Sequence, residues 1–127
     1  MNAPDAGVAI IGAGPAGLSL AYHLRDSGIQ AILLEQGESA GWSWQRMPED
    51  MMLNTPWCAS CLPGSGNWGW KAMEFLSRRE FAEYLVEYTS YHRLSLAAGC
   101  RVESLAHGVG GAVSCCKLEE GRSAPNG

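Results

Sequence analysis

The residues best placed to do chemistry are Gly12-Ala13-Gly14-Pro15-Ala16-Gly17 and the acid Glu35, which follows Gly12 by 23 positions. A GxGxxG spacing suits the close approach of a pyrophosphate. Gly12 permits a tight turn, Gly14 lets phosphates reach the backbone, and Gly17 lets a helix pack on a strand. Pro15 fits the first helical turn, where its missing N–H is not needed. The free N–H groups of that turn, with the partial positive charge of the helix, face the phosphates. Glu35 has the spacing of an acid that accepts hydrogen bonds from ribose hydroxyls, and its charge would repel a 2′-phosphate. Together they describe a site for a dinucleotide with an unphosphorylated ribose, FAD or NAD. In a chain of 16 glycines the spacing alone is weak, and its weight comes from the flanking elements. The bland alternatives are a strand-to-helix turn without a ligand and a solvated acid at a strand end.

Those elements can be read from the sequence. Val8–Ile11 is wholly apolar and β-branched except for Ala9, as a buried parallel strand requires. Residues 15–27 have helical character, with Leu20, Ala21 and Leu24 expected on one apolar face, and Gly28 stands where a helix C-terminal glycine belongs. Residues 29–34 give a second buried strand that ends in Glu35, completing a right-handed βαβ unit. Residues 36–71 lose periodicity but hold all five tryptophans, so an ordered segment wrapped around a ligand or a neighbouring domain is expected. Ser77-Arg78-Arg79-Glu80 spells a capping box, with Leu76 and Phe81 forming a hydrophobic staple across it. Phe81, Tyr84, Leu85 and Tyr88 then mark one buried helix face. Residues 94–97, 100–105 and 113–118 are strand-like, Gly108-Val109-Gly110-Gly111 reads as a turn, and residues 121–127 as a loose tail.

Composition removes several classes. A net charge of -4 argues against nucleic acid as the main partner, because phosphate contacts need a basic face. Residues 6–24 carry no charge, but four glycines and Pro15 interrupt them and no Lys or Arg precedes Arg25, so neither a membrane span nor a signal peptide is expected. Five irregularly spaced cysteines do not resemble a secreted disulfide framework, which points to a cytoplasmic location.

Choosing between FAD and NAD takes a resemblance. Val8-Ala9-Ile10-Ile11 with the fingerprint and Leu18 resembles the N-terminus of the two-dinucleotide-binding flavoproteins. Glu35-Gln36 followed by Gly41-Trp42-Ser43-Trp44 is similar to the segment after the ribose acid in flavin-containing and Baeyer–Villiger monooxygenases. Leu53-Asn54-Thr55-Pro56, Leu62-Pro63-Gly64 and the stretch from Ser77 to Leu105 extend the likeness, which covers residues 7 to about 120. It implies an α/β, Rossmann-like three-layer FAD-binding domain with a parallel sheet and the start of a β-meander, incomplete within 127 residues, with residues 36–71 as an irregular Trp/Pro-rich insert. It also implies that Gly12, Gly14, Pro15, Ala16 and Gly17 hold the FAD pyrophosphate and Glu35 the adenosine ribose. Gln36, Gly41 and Trp42 or Trp44 would line the FAD groove, Val102 would meet the adenine, and Asn54 would lie near the flavin ring. In that family NADPH reduces FAD, and a C4a-hydroperoxyflavin oxygenates a small organic substrate. Two departures stand out. Ala40 replaces the first glycine of the family's GG-x-W element, and no second GxGxxG for NADPH is present, since residues 108–111 are spaced wrongly and open no helix. The strand that would return beside Val8–Ile11 is also missing, so that strand is expected at an open sheet edge. Activity of this stretch alone is therefore not expected.

Weaker features compete for attention. Cys58-Ala59-Ser60-Cys61 is a CxxC that reads as a redox dithiol, a metal half-site or plain thiols. His23 falls mid-helix as a surface or packing residue. The tryptophans serve equally as core residues or flavin contacts. Two rival functions remain open: an FAD/NAD(P)-dependent reductase related to the disulfide reductases, and a non-catalytic dinucleotide-binding module. Substrate and oligomeric state are not encoded in any recognisable pattern.

Overall fold

A computed structural model describes residues 7–66, 69–107 and 113–120. Strand β1 (Val8–Ile11) pairs in parallel with β2 (Ala31–Glu35), and β2 pairs in parallel with β3 (Ser95–Ala98) on its other side. The register sets Ile10 opposite Leu33 and Leu33 opposite Leu96. Helix α1 (Pro15–Asp26) links β1 to β2, and helix α4 (Arg78–Tyr91) precedes β3. Among the described strands β1 is an edge strand, with Ile11 54% exposed. The core joins Ile10 and Leu33 of the sheet to Leu18 and Ala21 of α1 and to Phe81, Leu85 and Tyr88 of α4. Leu18, Leu33 and Leu85 are fully buried, each contributing roughly 2 kcal/mol by leaving water.

Helix α1 turns a different face inward from the one its leucines suggest. Leu18 and Ala21 are buried, Leu24 is half-buried, and Leu20 stands 47% exposed. Leu20 lies two positions from Leu18, which on a helix is nearly the opposite side. The following strand begins at Ala31, two residues later than expected. Ile29 is used to stop the helix: its N–H bonds the Leu24 carbonyl at 2.8 Å, and Gly28 takes the left-handed conformation (φ +79°) that this return requires.

The aperiodic segment carries two single-turn helices, α2 (Trp42–Gln45) and α3 (Trp57–Ser60), and a 3-10 turn over Gly69–Met73. It lies along the chain leading into α4. Met52 bridges Ser77, Leu53 N–H bonds the Leu76 carbonyl at 2.9 Å, and Trp57 N–H bonds that of Glu74 at 2.7 Å. These bonds direct Leu53 and Leu62 into the same core as Phe81 and Leu85. Helix α4 begins as its sequence requires. Ser77 Oγ accepts from Glu80 N–H at 3.1 Å, and Glu80 Oε1 accepts from Ser77 N–H at 3.1 Å, a cap that contributes about 1 kcal/mol. After β3, Gly99 (φ +69°) turns the chain into β4 (Cys100–His107), which pairs antiparallel with β5 (Val113–Glu120) and contacts β2. The turn expected at residues 108–111 and the tail at 121–127 lie outside the described residues. Among the described residues no helix is long and apolar enough to cross a membrane.

Helix α4 ends at His92, whose ring sits against those of Tyr22 (4.9 Å), Tyr88 (4.4 Å) and Tyr91 (5.0 Å). Arg25 Nη1 donates to the His92 carbonyl. Burial first, and the neighbouring Arg25 charge second, push the imidazole below its ordinary range. In the unfolded chain His92 binds a proton near pH 6.5, whereas in the fold it stays neutral to lower pH. Stability is therefore lost as pH falls below about 6.5, because there the unfolded state binds more protons. Urea unfolding at pH 5.5 and 7.5 is expected to show a larger pH difference for the native chain than for His92→Asn, and equal differences would refute the assignment.

Candidate functional site

The turn from β1 into α1 is held from three sides. Gly12 adopts φ +96°, where only glycine is unstrained, and its N–H bonds the Leu34 carbonyl at 2.8 Å, tying the end of β1 to the end of β2. Gly17 faces inward: a Cβ there would stand 2.2 Å from the Gly12 carbonyl oxygen. Gly14 faces outward and behaves oppositely. A Cβ on Gly14 would meet nothing within 4 Å, so the space above it is open. Gly14 is the N-cap of α1 with extended backbone, no side chain caps it, and Pro15 occupies the first turn. Ala16 is exposed at this helix start. The arrangement leaves the positive end of α1 turned toward an open surface, where an anion is stabilised.

Glu35 is buried, only 8% exposed, at the end of β2. Its Oε1 accepts from Ala13 N–H at 3.0 Å and its Oε2 from Gly37 N–H at 2.7 Å. Each carboxylate oxygen can accept a second bond, so Glu35 retains acceptor capacity for a pair of hydroxyls. Two further backbone bonds join the neighbouring loops to this point. Gly41 N–H bonds the Ala13 carbonyl at 2.8 Å, and Gly99 N–H bonds the Gly37 carbonyl at 2.8 Å. A fixed acid, an uncapped helix start and open space above Gly14 fit the ribose and pyrophosphate of a dinucleotide.

The remaining candidates are placed as follows. Gln36 is exposed directly after the acid. Gly41 (φ +69°) is the N-cap of α2, and a Cβ there would lie 2.8 Å from Leu85 Cδ1. Trp42 is half-buried, with its side chain filling the position a Cβ on Gly37 would take, 2.0 Å from Trp42 Cγ. Trp44 packs edge-on to Phe81 at 4.8 Å as part of the core boundary. Val102 is half-buried on β4 opposite Leu118. Asn54 is exposed at a bend and is not joined to the hydrogen bonds around Glu35. Gly37 and Gly99 belong to the network without having been singled out by sequence, whereas Ala13 lies within the fingerprint. Gly37, two residues past the acid, carried the only local signal.

Half-open hollows lie elsewhere. One of about 270 Å³ is lined by Trp57, Lys71, Glu74 and Tyr84, and one of about 420 Å³ by Tyr84, Tyr88, Tyr91 and His92. The surface over Gly14 is thus an open cradle. Among the described residues no group of three or more His, Cys, Asp or Glu side chains is placed to hold a metal ion.

Comparison with known proteins places this geometry in context. The sequence model of the family described as pyridine nucleotide-disulphide oxidoreductase matches residues 9–114. The uncharacterized oxidoreductase CzcO of Bacillus subtilis is 32% identical over 96 residues, which cover 76% of this chain and 28% of that protein. The solved flavin-containing monooxygenase from Stenotrophomonas maltophilia superposes with a TM-score of 0.68 at 31% identity, over 79% of this chain and 30% of that one. A crystal structure of OTEMO in complex with FAD and NADP also has a TM-score of 0.68, at 20% identity, over 95% of this chain and 24% of that one, and shows the shared fold. The chain therefore spans less than a third of the length of these relatives.

Proposed function

The chain belongs to the pyridine nucleotide-disulphide oxidoreductase family, whose sequence model spans residues 9–114, and from that premise we propose that it forms the adenosine and pyrophosphate half of an FAD site. One observation carries this reading: the buried Glu35 carboxylate, fixed by the Ala13 and Gly37 N–H groups next to the open space over Gly14. Glu35 orients the ribose, and the N–H groups at the start of α1 bind the pyrophosphate. FAD is favoured over NAD by the likeness to a protein whose name specifies flavin, since the flavin that is also a dinucleotide is FAD. Bound FAD supplies two-electron redox chemistry. The residues of this chain bind and orient it.

The finer reading is a flavin monooxygenase acting on a small organic substrate, with NADPH bound by parts of the longer relatives that this chain does not match. Gln36, Gly41, Trp42, Trp44 and Val102 then border the FAD groove, and Asn54 lies toward the flavin. The family's description supports a second reading, a reductase of disulphides. In a longer form, oxygen consumed in step with NADPH and one oxygen atom found in the product would favour the first reading. Turnover of a disulphide without oxygen uptake would favour the second.

The direct test is retention of flavin. Purified chain mixed with FAD and desalted is expected to keep flavin absorbance, while Gly14→Val retains none. Valine tolerates the extended backbone at that position (φ -86°, ψ -172°), but its side chain occupies the phosphate space. If a native chain with intact circular dichroism releases all its flavin, the reading fails.

A further inference from the structure

The CxxC pair takes no part in the cradle around Glu35. Cys58 lies within α3 with an exposed side chain, and Cys61 is the half-buried C-cap of the same turn. Both sulfurs are free thiols. Other groups hold this turn in place: Trp57 packs edge-on to Tyr84 at 4.7 Å, and Ser60 Oγ bonds Thr55 Oγ1 at 2.6 Å and the Pro56 carbonyl at 3.0 Å. Cys61 Sγ is turned back along the helix, 3.8 Å from the Cys58 carbonyl oxygen. Its backbone has already left the helix (φ -68°, ψ 146°), so the residue can swing toward Cys58 without unwinding α3. Residues three apart on a helical turn have Cβ atoms about 5–6 Å apart, close to the roughly 4 Å a disulfide needs.

We propose that Cys58 and Cys61 form a reversible dithiol–disulfide site that exchanges with a small-molecule disulfide. The Cys58 thiolate, the accessible one, attacks a sulfur of the small disulfide. That S–S bond breaks, one small thiol leaves, and a mixed disulfide remains on Cys58. The Cys61 thiolate then attacks the Cys58 sulfur, forming the Cys58–Cys61 bond and releasing the second small thiol. Two protein thiols are oxidised, one small disulfide is reduced to two thiols, and the two protons pass to the thiols released. Closure draws Cys61 toward α3 and acts on Leu62, whose N–H donates to Tyr84 Oη at 2.7 Å, so the event is transmitted to α4.

The test uses the whole chain, equilibrated in mixtures of reduced and oxidised glutathione, trapped with iodoacetamide and digested with trypsin. Cleavage after Arg46 and Lys71 isolates Cys58 and Cys61 in one peptide, and cleavage after Arg93 and Arg101 isolates Cys100 as an internal control. As the oxidised fraction rises, peptide 47–71 is expected to lose both alkylations together and to carry no glutathione, while reductant restores both. Cys61→Ser should accumulate glutathione on Cys58. Cys58→Ser should leave the half-buried Cys61 free of glutathione in the folded chain and modified in urea. Persistent alkylation of both cysteines in oxidised mixtures, a stable glutathione adduct on Cys58 in the native chain, or pairing of either with another cysteine would each overturn the proposal.

Discussion

A Gly17→Ala chain is expected to unfold at a markedly lower urea concentration than the native chain, although the change adds a single methyl group. That methyl would stand 2.2 Å from the Gly12 carbonyl oxygen and 3.3 Å from Ile10 Cγ2. The closest obstacle is backbone, and it is locked: Gly12 N–H is bonded to Leu34, and its conformation is left-handed. The helix must move away from β1, and the contacts of Leu18 and Ala21 with the sheet open with it. Overpacking of this kind costs about 3 kcal/mol or more. A domain of this size has only about 5–15 kcal/mol in all. Urea denaturation followed by circular dichroism is the measurement, with Gly14→Ala as the companion. Alanine at position 14 meets nothing within 4 Å and should leave the midpoint unchanged. Equal destabilisation by the two substitutions would refute this account of the turn.

The second large effect is expected at Glu35. Removing its carboxylate in Glu35→Ala leaves the Ala13 and Gly37 N–H groups without an acceptor at a place where Ala13 is fully buried. Hydrogen bonds to a charged acceptor contribute about 1.5–3 kcal/mol each, so a loss of about 3 kcal/mol is anticipated. Glu35→Gln keeps one acceptor but turns an NH2 group toward a donor, and should recover only part of that loss. Flavin retention separates the two roles of this residue. Both variants should release FAD even under conditions where each is fully folded. A Glu35→Gln chain that is as stable and as retentive as the native one would show that the carboxylate matters to neither.

What the sequence disclosed follows from how local each constraint is. The fingerprint, the left-handed Gly28 and the capping box at Ser77 each satisfy backbone groups within a few residues, and all are found where their patterns place them. Helix α1 misled because apolar residues occupy both of its sides, and only the sheet decides that Leu18 rather than Leu20 is enclosed. The aperiodic stretch concealed its order for a related reason. Its hydrogen bonds run to residues 74–78, so no short window contains both partners. The tryptophans divide by surroundings that no spacing encodes. Trp44 and Trp57 meet Phe81 and Tyr84, whereas Trp42 fills the place of the side chain that Gly37 lacks. Gly99 entered the network around the acid only because β3 returns beside β2.

That return sets an order of assembly. Ile10 and Leu33 meet across a loop of 23 residues, whereas Leu33 and Leu96 meet across 63. Closing the longer loop costs about 1 kcal/mol more in chain entropy, before the packing of α4 is counted. The strand–helix–strand unit is therefore expected to form first, with β3 docking on it late and bringing Gly99 to Gly37 as it arrives. Leu96→Ala should accordingly speed unfolding far more than it slows folding, a split that stopped-flow kinetics resolves. On this expectation the turn around Gly12 and Glu35 is half built on the first part of the chain to settle, and its flank at Gly37 is finished by a strand that docks late.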